Sequence, residues 1–325
     1  MELPRHTLVH LTDLHVEVDG AASRFGFDSG PLVERALQVV AESGLRPSAL
    51  VITGDLVEHG RPEEYHRLRT LAEPWITRIG APVAWVAGNH DDRAALREHL
   101  LGEPAGTEPL DHIVWVGDLR IAVLDTTVPG LPYGELSQGQ LDRLRAELAH
   151  PAPDGTVLAL HHPPLPTPSQ LSQLMRLRNR HELAAAIAGT DVRIALAGHT
   201  HVVSAGALAG VPIWTGGAAT LLADPLPPGR GGRGLRSATL SRIDLFDDDV
   251  IVSSVPIEAE PTPARSAAEV DVYIAEVTAE LAAGRPPSVP DQGSRPAGGV
   301  LTDAGGHRLP AEAFDLPGEV TAQPP

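Results

Sequence analysis

The sequence predicts an α/β protein in which two stacked β-sheets are flanked by helices. Three observations carry that expectation. Short apolar runs alternate with longer amphipathic stretches up to about residue 200, strand-like runs then follow one another, and clusters of Asp, Asn and His recur just after the apolar runs. The composition permits such a core, because 42% of the 325 residues are hydrophobic, which at this length fits one large domain or two small ones.

Taken in order, residues 7–12 (TLVHLT), 49–53 (ALVIT), 83–86 (VAWV), 121–124 (IAVL), 156–160 (TVLAL) and 192–197 (VRIALA) are continuous apolar runs, the pattern of strands covered on both faces. Between them, residues 32–43, 63–79, 93–101, 137–150 and 180–189 space their apolar side chains three and four apart, as helices do. In the fourth of these, Ser137 precedes Leu141, Leu144 and Leu148, which reads as a capped helix with one apolar stripe. From residue 202 the runs 202–207, 211–215, 237–245 and 250–256 read as successive strands. An alternating first part and a mainly β second part suggest two sheets stacked face to face with helices outside.

Charge and composition exclude several classes. Lys plus Arg number 25 against 42 Asp plus Glu, and every one of the 25 is an arginine, so the chain carries −17. That balance argues against nucleic acid as a partner, since nucleic-acid binding relies on a basic footprint. With no cysteine there is no disulfide framework, thiolate metal site or cysteine nucleophile. Residues 1–19 carry acids and histidines where a signal peptide needs an apolar run. No stretch approaches the roughly 20 apolar residues of a membrane span. The expectation is a cytoplasmic protein without integral membrane association.

The chemistry sits at the strand ends. Asp13 and His15 follow the first predicted strand, Gly54-Asp55 the second, and Gly88-Asn89-His90-Asp91 the third. His161-His162 follow the run 156–160, and Gly198-His199-Thr200-His201 follow 192–197. Ligand sites in open α/β sheets gather at the carboxyl ends of strands, so these clusters are expected to converge. One Asp or His at a strand end is ordinarily a turn residue; five such clusters at five strand ends need another reason. The clusters hold more Asp, Asn and His than one ion takes, and even two Asp, one Asn and four of the six His are too many for one ion. With one carboxylate shared, they suit two ions with four protein ligands each and room for water.

In this arrangement the chain resembles the calcineurin-like metallophosphoesterases. Their blocks D-x-H, GD, GNH[DE], a later His and GHxH occur here in full and in order, from Asp13 to His201. More narrowly it resembles the bacterial class III cyclic-nucleotide phosphodiesterases, through residues 54–65 (GDLVEHGRPEEY), 88–93 (GNHDDR), 124–136 (LDTTVPGLPYGEL) and 160–164 (LHHPP). The resemblance covers roughly residues 5 to 256 and implies a four-layer α/β/β/α sandwich of two mixed sheets. It implies a first metal on Asp13, His15, Asp55 and His201, and a second on Asp55, Asn89, His161 and His199. His90 would be the catalytic residue outside the coordination shell, and Asn89, His90 and His201 would contact the substrate phosphate, with Tyr133 a candidate to stack on a base. The implied cofactors are two divalent or trivalent ions, Fe and Mn foremost, with Zn or Co as alternatives.

The activity so implied is hydrolysis of a 3′,5′-cyclic nucleotide, cAMP foremost, to the 5′-monophosphate by a hydroxide that bridges the two metals. The alternative is a phosphodiesterase or phosphomonoesterase acting on another small metabolite, such as a glycerophosphodiester or a nucleotide. The partner is a small phosphodiester; a homodimer is left open. The second His of the pair, His162, is expected to pack or hydrogen-bond behind His161. Relatives often carry an Asp where Glu58 stands, pairing with the catalytic His, so Glu58 is either a partner of His90 or a solvated loop acid. The domain plan is a catalytic domain over 1–256, a linker and helix over 257–284, and a flexible tail over 285–325. The helix is expected at 267–283, with Val270, Ile274, Val277 and Leu281 on one stripe, and 11 of the 31 prolines fall from residue 256 onward. The glycine-rich run 229–234 reads as a surface loop.

Overall fold

The structure, a computed structural model, describes residues 2–18, 26–167, 169–226, 232–258 and 267–283. Residues 1–259 form one compact unit and 260–325 a second. In chain order the first unit runs β1 (His6–Leu11), α1 (Gly30–Glu42), β2 (Ala49–Thr53), α2 (Pro62–Ile79), β3 (Val83–Val86) and α3 (Arg93–Ala95), which continues as a π-helical turn over Leu96–Leu101. It goes on through β4 (His112–Val116), β5 (Leu119–Leu124), β6 (Thr127–Val128), β7 (Leu131–Gly134), α4 (Gln138–Leu148), β8 (Thr156–Leu160), α5 (Gln170–Leu174), α6 (Arg180–Ile187) and β9 (Val192–Ala197). It closes with β10 (Ser204–Leu208), β11 (Val211–Thr215), β12 (Leu222–Ala223), β13 (Gly234–Leu235), β14 (Thr239–Leu245) and β15 (Val250–Pro256). In the second unit the described element is the helix α7 (Ala267–Ala282). The expected tail over 285–325 and residues 229–231 of the glycine-rich run lie outside the described residues, while Gly234, expected in a loop, opens β13.

Two mixed sheets form the centre, in the orders β15-β14-β1-β2-β3 and β10-β11-β9-β8-β5-β4. In the first, β1, β2 and β3 are parallel, with His10 opposite Val51 and Leu50 opposite Val83. In the second, β5, β8, β9 and β11 are parallel and the edge strands β4 and β10 antiparallel. Side chains alternate faces along a strand, and β1 shows the consequence. Leu8 points between the sheets, packing with Val51, Ala84, Val123, Ala159 and Ile243. Val9 and Leu11 point outward under α1 and α2, against Val33, Leu37, Tyr65 and Leu68. On the other side Leu141, Leu144, Leu183 and Ile187 of α4 and α6 cover Leu158, Leu160 and Ala195. Both faces of the central strands are therefore buried, which is why they read as unbroken apolar runs, and the layers are α/β/β/α.

Several elements differ from the expectation. Strand β4 escaped the pattern because it is a half-covered edge with Trp115 53% exposed. The hairpin β6–β7 and the two-residue pair β12–β13 are too short to carry a period. The helix expected over 93–101 is one α-turn that widens into a π-turn and ends at Gly102 in the left-handed region. The Ser137 cap is present: its hydroxyl accepts from the Gln140 N–H while the Gln140 side chain takes the Ser137 N–H.

Candidate metal centre

Parallel neighbours within each sheet bring their carboxyl ends to one edge. Asp13 and His15 leave β1, Asp55 leaves β2, Asn89 leaves β3, His161 leaves β8, and His199 and His201 leave β9. The turns they sit on are unusual. Asp13 (φ 55°), His15 (φ 43°), Asp55 (φ 47°), His199 (φ 72°) and His201 (φ 56°) all adopt the left-handed conformation that side-chain-bearing residues avoid. Among the described residues the other non-glycine in that region is Ala209. Each such residue costs on the order of 1–3 kcal/mol, and strain of this kind collects at functional sites.

Backbone bonds between the loops hold the turns in place. Asp13 N–H donates to the Gly54 carbonyl (3.0 Å), His15 N–H to the Asp55 carbonyl (2.9 Å), and His199 N–H to the Asp13 carboxylate (3.0 Å). The motif glycines let the loops come this close. A Cβ at Gly88 would run into the Asp55 backbone and carboxylate, and one at Gly198 into Thr12 and Asp13. Asp91 ties the second and third loops together, accepting from the Gly88 and Leu56 N–H groups (2.8 and 3.1 Å) and from the Tyr65 hydroxyl (3.0 Å). Burial and the neighbouring Asp55 push its carboxyl up to about 7.

The seven candidate ligands fall into two groups that share Asp55. In the first, His15 Nε2 is 3.1 Å from His201 Nε2 and 3.7 Å from Asp55 Oδ2, and His201 Nε2 is 3.4 Å from Asp13 Oδ1. In the second, His161 Nε2 is 3.3 Å from Asp55 Oδ2, 3.3 Å from Asn89 Oδ1 and 3.2 Å from His199 Nδ1. Donors about 2.1 Å from one cation stand about 3.0–3.4 Å apart in octahedral or tetrahedral geometry. The nitrogen–nitrogen distances of 3.1 and 3.2 Å match the spacing of two donors on one cation.

The far nitrogens agree. His161 Nδ1–H donates to the Thr53 carbonyl (2.7 Å) and His201 Nδ1–H to the Leu221 carbonyl (2.8 Å), while His15 Nδ1 meets the Glu58 carboxylate at 2.6 Å. Each contact fixes the tautomer that leaves Nε2 facing inward with its lone pair, as a metal-ligating histidine requires. The buried acids and histidines also hold one another electrostatically. Burial opposes charge on Asp13, yet the nearby His201 holds it down at about 2, and His161 does the same more strongly for Asp55. His161 in turn rises to about 9, because Asp55 and Asp13 outweigh its burial. The donor set and its geometry fit a metal centre.

The remaining predicted residues divide. His90 stands beside the first group: its ring lies edge-on to His15 at 5.0 Å, its Nδ1–H donates to the Glu58 carbonyl (2.8 Å), and its N–H donates to Asp55 Oδ1 (2.9 Å). Glu58 is not a solvated loop acid, and it lies beside both His15 and His90. It is buried, its carboxylate engages His15, and His90 meets its backbone carbonyl, with the carboxylate 3.7 Å from His90 Nδ1. His162 lies behind His161 as expected, its Nδ1 2.8 Å from Thr126 Oγ1. The Tyr133 ring carries the Arg178 guanidinium 3.3 Å from its centroid, so one face offered to a base is already taken. Beside Asn89 a cavity of about 150 Å³ is walled by Arg93, Thr107 and residues 127–130. Arg93 sets its width by holding Asp125 (2.8 Å) and the Thr107 and Thr127 carbonyls (3.0 and 2.9 Å). Sequence reasoning missed Asp91 and Arg93 as organisers, although both stand in the GNHDDR block.

The profile of the calcineurin-like phosphoesterases matches residues 6–203, and the chain belongs to that family. Over 260 residues it is 41% identical to a Rhodococcus erythropolis protein named "Probable cyclic nucleotide phosphodiesterase", covering 80% of this chain and 86% of that one. Over 256 residues it is 41% identical to a cAMP/cGMP dual specificity phosphodiesterase of Mycobacterium tuberculosis, covering 78% and 80%. A dimetal phosphatase from Danio rerio shares the fold at 15% identity, with a TM-score of 0.58 over 81% of this chain and 100% of its own.

Proposed function

We propose that this protein is a binuclear-metal phosphodiesterase that hydrolyses 3′,5′-cyclic nucleotides, cAMP foremost, to 5′-monophosphates. The observation that carries the reading is the pair of four-donor groups sharing Asp55, five of whose seven residues hold strained left-handed turns to get there. The relatives named as cyclic-nucleotide phosphodiesterases support the choice of substrate. Asp13, His15, Asp55 and His201 would hold one ion and Asp55, Asn89, His161 and His199 the other. A mixed Asp, Asn and His set suits Mn, Fe, Co or Zn, whereas Ca prefers an all-oxygen shell. When bound, such ions supply an acidic water at neutral pH and positive charge for the phosphate oxygens.

The chain's own groups do the rest. Asn89 presents its amide nitrogen to a phosphate oxygen once its Oδ1 is engaged. His90, fixed through Nδ1 by a carbonyl that can only accept, turns Nε2 toward the leaving side. His90 acts with both ring nitrogens protonated: as water adds to phosphorus and the P–O3′ bond breaks, the Nε2 proton passes to the departing 3′ oxygen, and the proton that the water releases restores the imidazolium. No residue forms a covalent intermediate, and no nucleophilic Ser or Cys is needed.

The test is a substrate panel with defined metal loading, comparing cAMP, cGMP, a glycerophosphodiester, bis-p-nitrophenyl phosphate and p-nitrophenyl phosphate. The reading expects cyclic nucleotides to be turned over with the highest kcat/KM and 5′-monophosphate as the product. A preference for the glycerophosphodiester or the monoester would replace it with the corresponding esterase.

A further inference from the structure

One buried acid near the centre belongs to neither of the two four-donor groups that share Asp55. Glu58 sits three residues beyond Asp55 and is 7% exposed. Its Oε2 lies 2.6 Å from Nδ1 of His15, a side chain that is itself fully buried. Its main chain is held as firmly, since Glu58 N–H donates to the Val16 carbonyl at 3.2 Å, pinning the second loop to the first. The His90 ring reaches residue 58 through the carbonyl oxygen at 2.8 Å, whereas the carboxylate is 3.7 Å away. One residue therefore serves two histidines by two different chemical groups: a charged side chain for His15 and a neutral backbone oxygen for His90.

We propose that Glu58 is a positioning residue for the first ion site, its carboxylate holding His15 as an Nε2 donor, and that the His90 proton donor does not depend on that carboxylate. The physics is that of a carboxylate–histidine–metal relay. A carboxylate accepting from the far N–H fixes the ring's tautomer and rotation and makes the ligating nitrogen more basic; losing such a partner costs about 10–100-fold in metal affinity. A carbonyl acceptor at residue 58, in contrast, is supplied by any amino acid. The inference rests on the metal-centre reading above and adds a division of labour that a simple acid–histidine pair at this position would not have.

The experiment measures metal affinity separately from turnover. Wild type, Glu58→Gln and Glu58→Ala are stripped and titrated with Mn or Zn against a chromophoric chelator, with no substrate present. In Glu58→Ala one of the two ions is expected to bind about 10–100-fold more weakly while the other changes little. Glu58→Gln keeps an oxygen to accept from Nδ1–H and loses the charge, so its loss is expected to be smaller but measurable. At saturating metal the ratio of turnover on cAMP to turnover on bis-p-nitrophenyl phosphate should match wild type in both variants, because His90 keeps its acceptor. Unchanged affinities in the variants would overturn the proposal. So would a selective loss of cAMP turnover at saturating metal, which would assign the carboxylate to His90. If Glu58→Ala does not fold, Glu58→Gln decides by the same two readouts. A wild type that binds no ion would overturn the metal-centre reading itself, a distinguishable result.

Discussion

Oδ2 of Asp55 lies 3.3 Å from Nε2 of His161, and the same oxygen is 3.7 Å from Nε2 of His15 in the other donor group. Replacing Asp55 with Ala is therefore expected to weaken both ions and to cost more than the about 10–100-fold typical of an outer-shell partner. Asn89→Ala is expected to weaken one ion only. Metal content by elemental analysis, two per chain in wild type, one in Asn89→Ala and fewer in Asp55→Ala, checks the ordering; equal stoichiometry in the two variants contradicts it.

His90 separates proton donation from metal binding. A ribose 3′ oxygen is a poor leaving group, and general acid catalysis contributes about 10²–10⁴-fold. A p-nitrophenolate departs readily without a proton. His90→Ala is thus expected to keep both ions, lose about 10²–10⁴-fold on cAMP and lose less on bis-p-nitrophenyl phosphate. Parallel losses on both substrates with the metals in place would instead make His90 a phosphate-binding group, and loss of a metal would make it a ligand.

Loading the centre should release protons. In the metal-free chain burial resists charging His161, but Asp55 and Asp13 prevail and raise it from 6.5 to about 9. Its Nδ1 is committed to the Thr53 carbonyl, so the removable proton is on Nε2, the atom the ion needs. At neutral pH the proton must leave before the ion binds. Apparent affinity should therefore rise with pH up to about 9, by about tenfold per unit for one coupled proton, and fall as pH drops. The sign for the metal-free fold is the reverse: a raised pKa contributes stability that is complete below 6.5 and lost as pH rises through about 9. Affinities measured by chelator competition between pH 6.5 and 9 that do not change would refute the proton count.

How much of this was legible depended on burial and on length. Strands such as Ala49–Thr53 and Thr156–Leu160 are covered on both faces and announced themselves as apolar runs. The half-exposed edge strand His112–Val116 and the short hairpin Thr127–Gly134 had no such signature. At the site, residue type and position after a strand were enough to nominate the five clusters, because a hard ligand on a tight turn stands in each, and the family resemblance chose the seven donors among them. Partnerships were not legible. Nothing in the letters says that Glu58 turns its carboxylate to His15 and its carbonyl to His90, since that depends on one methylene and on which loop packs above which. Nor could spacing reveal that Arg178 lies on the Tyr133 ring from 45 positions further along.

Backbone strain at the ligand turns gives the last prediction. His199 holds φ 72° while its N–H donates to both Asp13 oxygens at 3.0 Å. In that region an L-residue is penalised by its Cβ and glycine is not. His199→Ala and His199→Gly both remove the same ligand nitrogen, so in metal-free protein they differ only in the backbone. The glycine variant is expected to be the more stable by about 1 kcal/mol, net of the entropy glycine adds to the unfolded chain. Ala209 offers a control away from the centre, at φ 52° next to Gly210 in the turn between β10 and β11. Ala209→Gly suits a two-residue hairpin turn with both central residues left-handed, and should stabilise by a similar amount with turnover intact. Denaturant unfolding of the three variants under chelation measures this directly. An alanine variant at 199 as stable as its glycine counterpart, while Ala209→Gly does stabilise, would show that the site turn relaxes once the ligand is gone, and that its left-handed geometry is held by the histidine rather than by the surrounding loops.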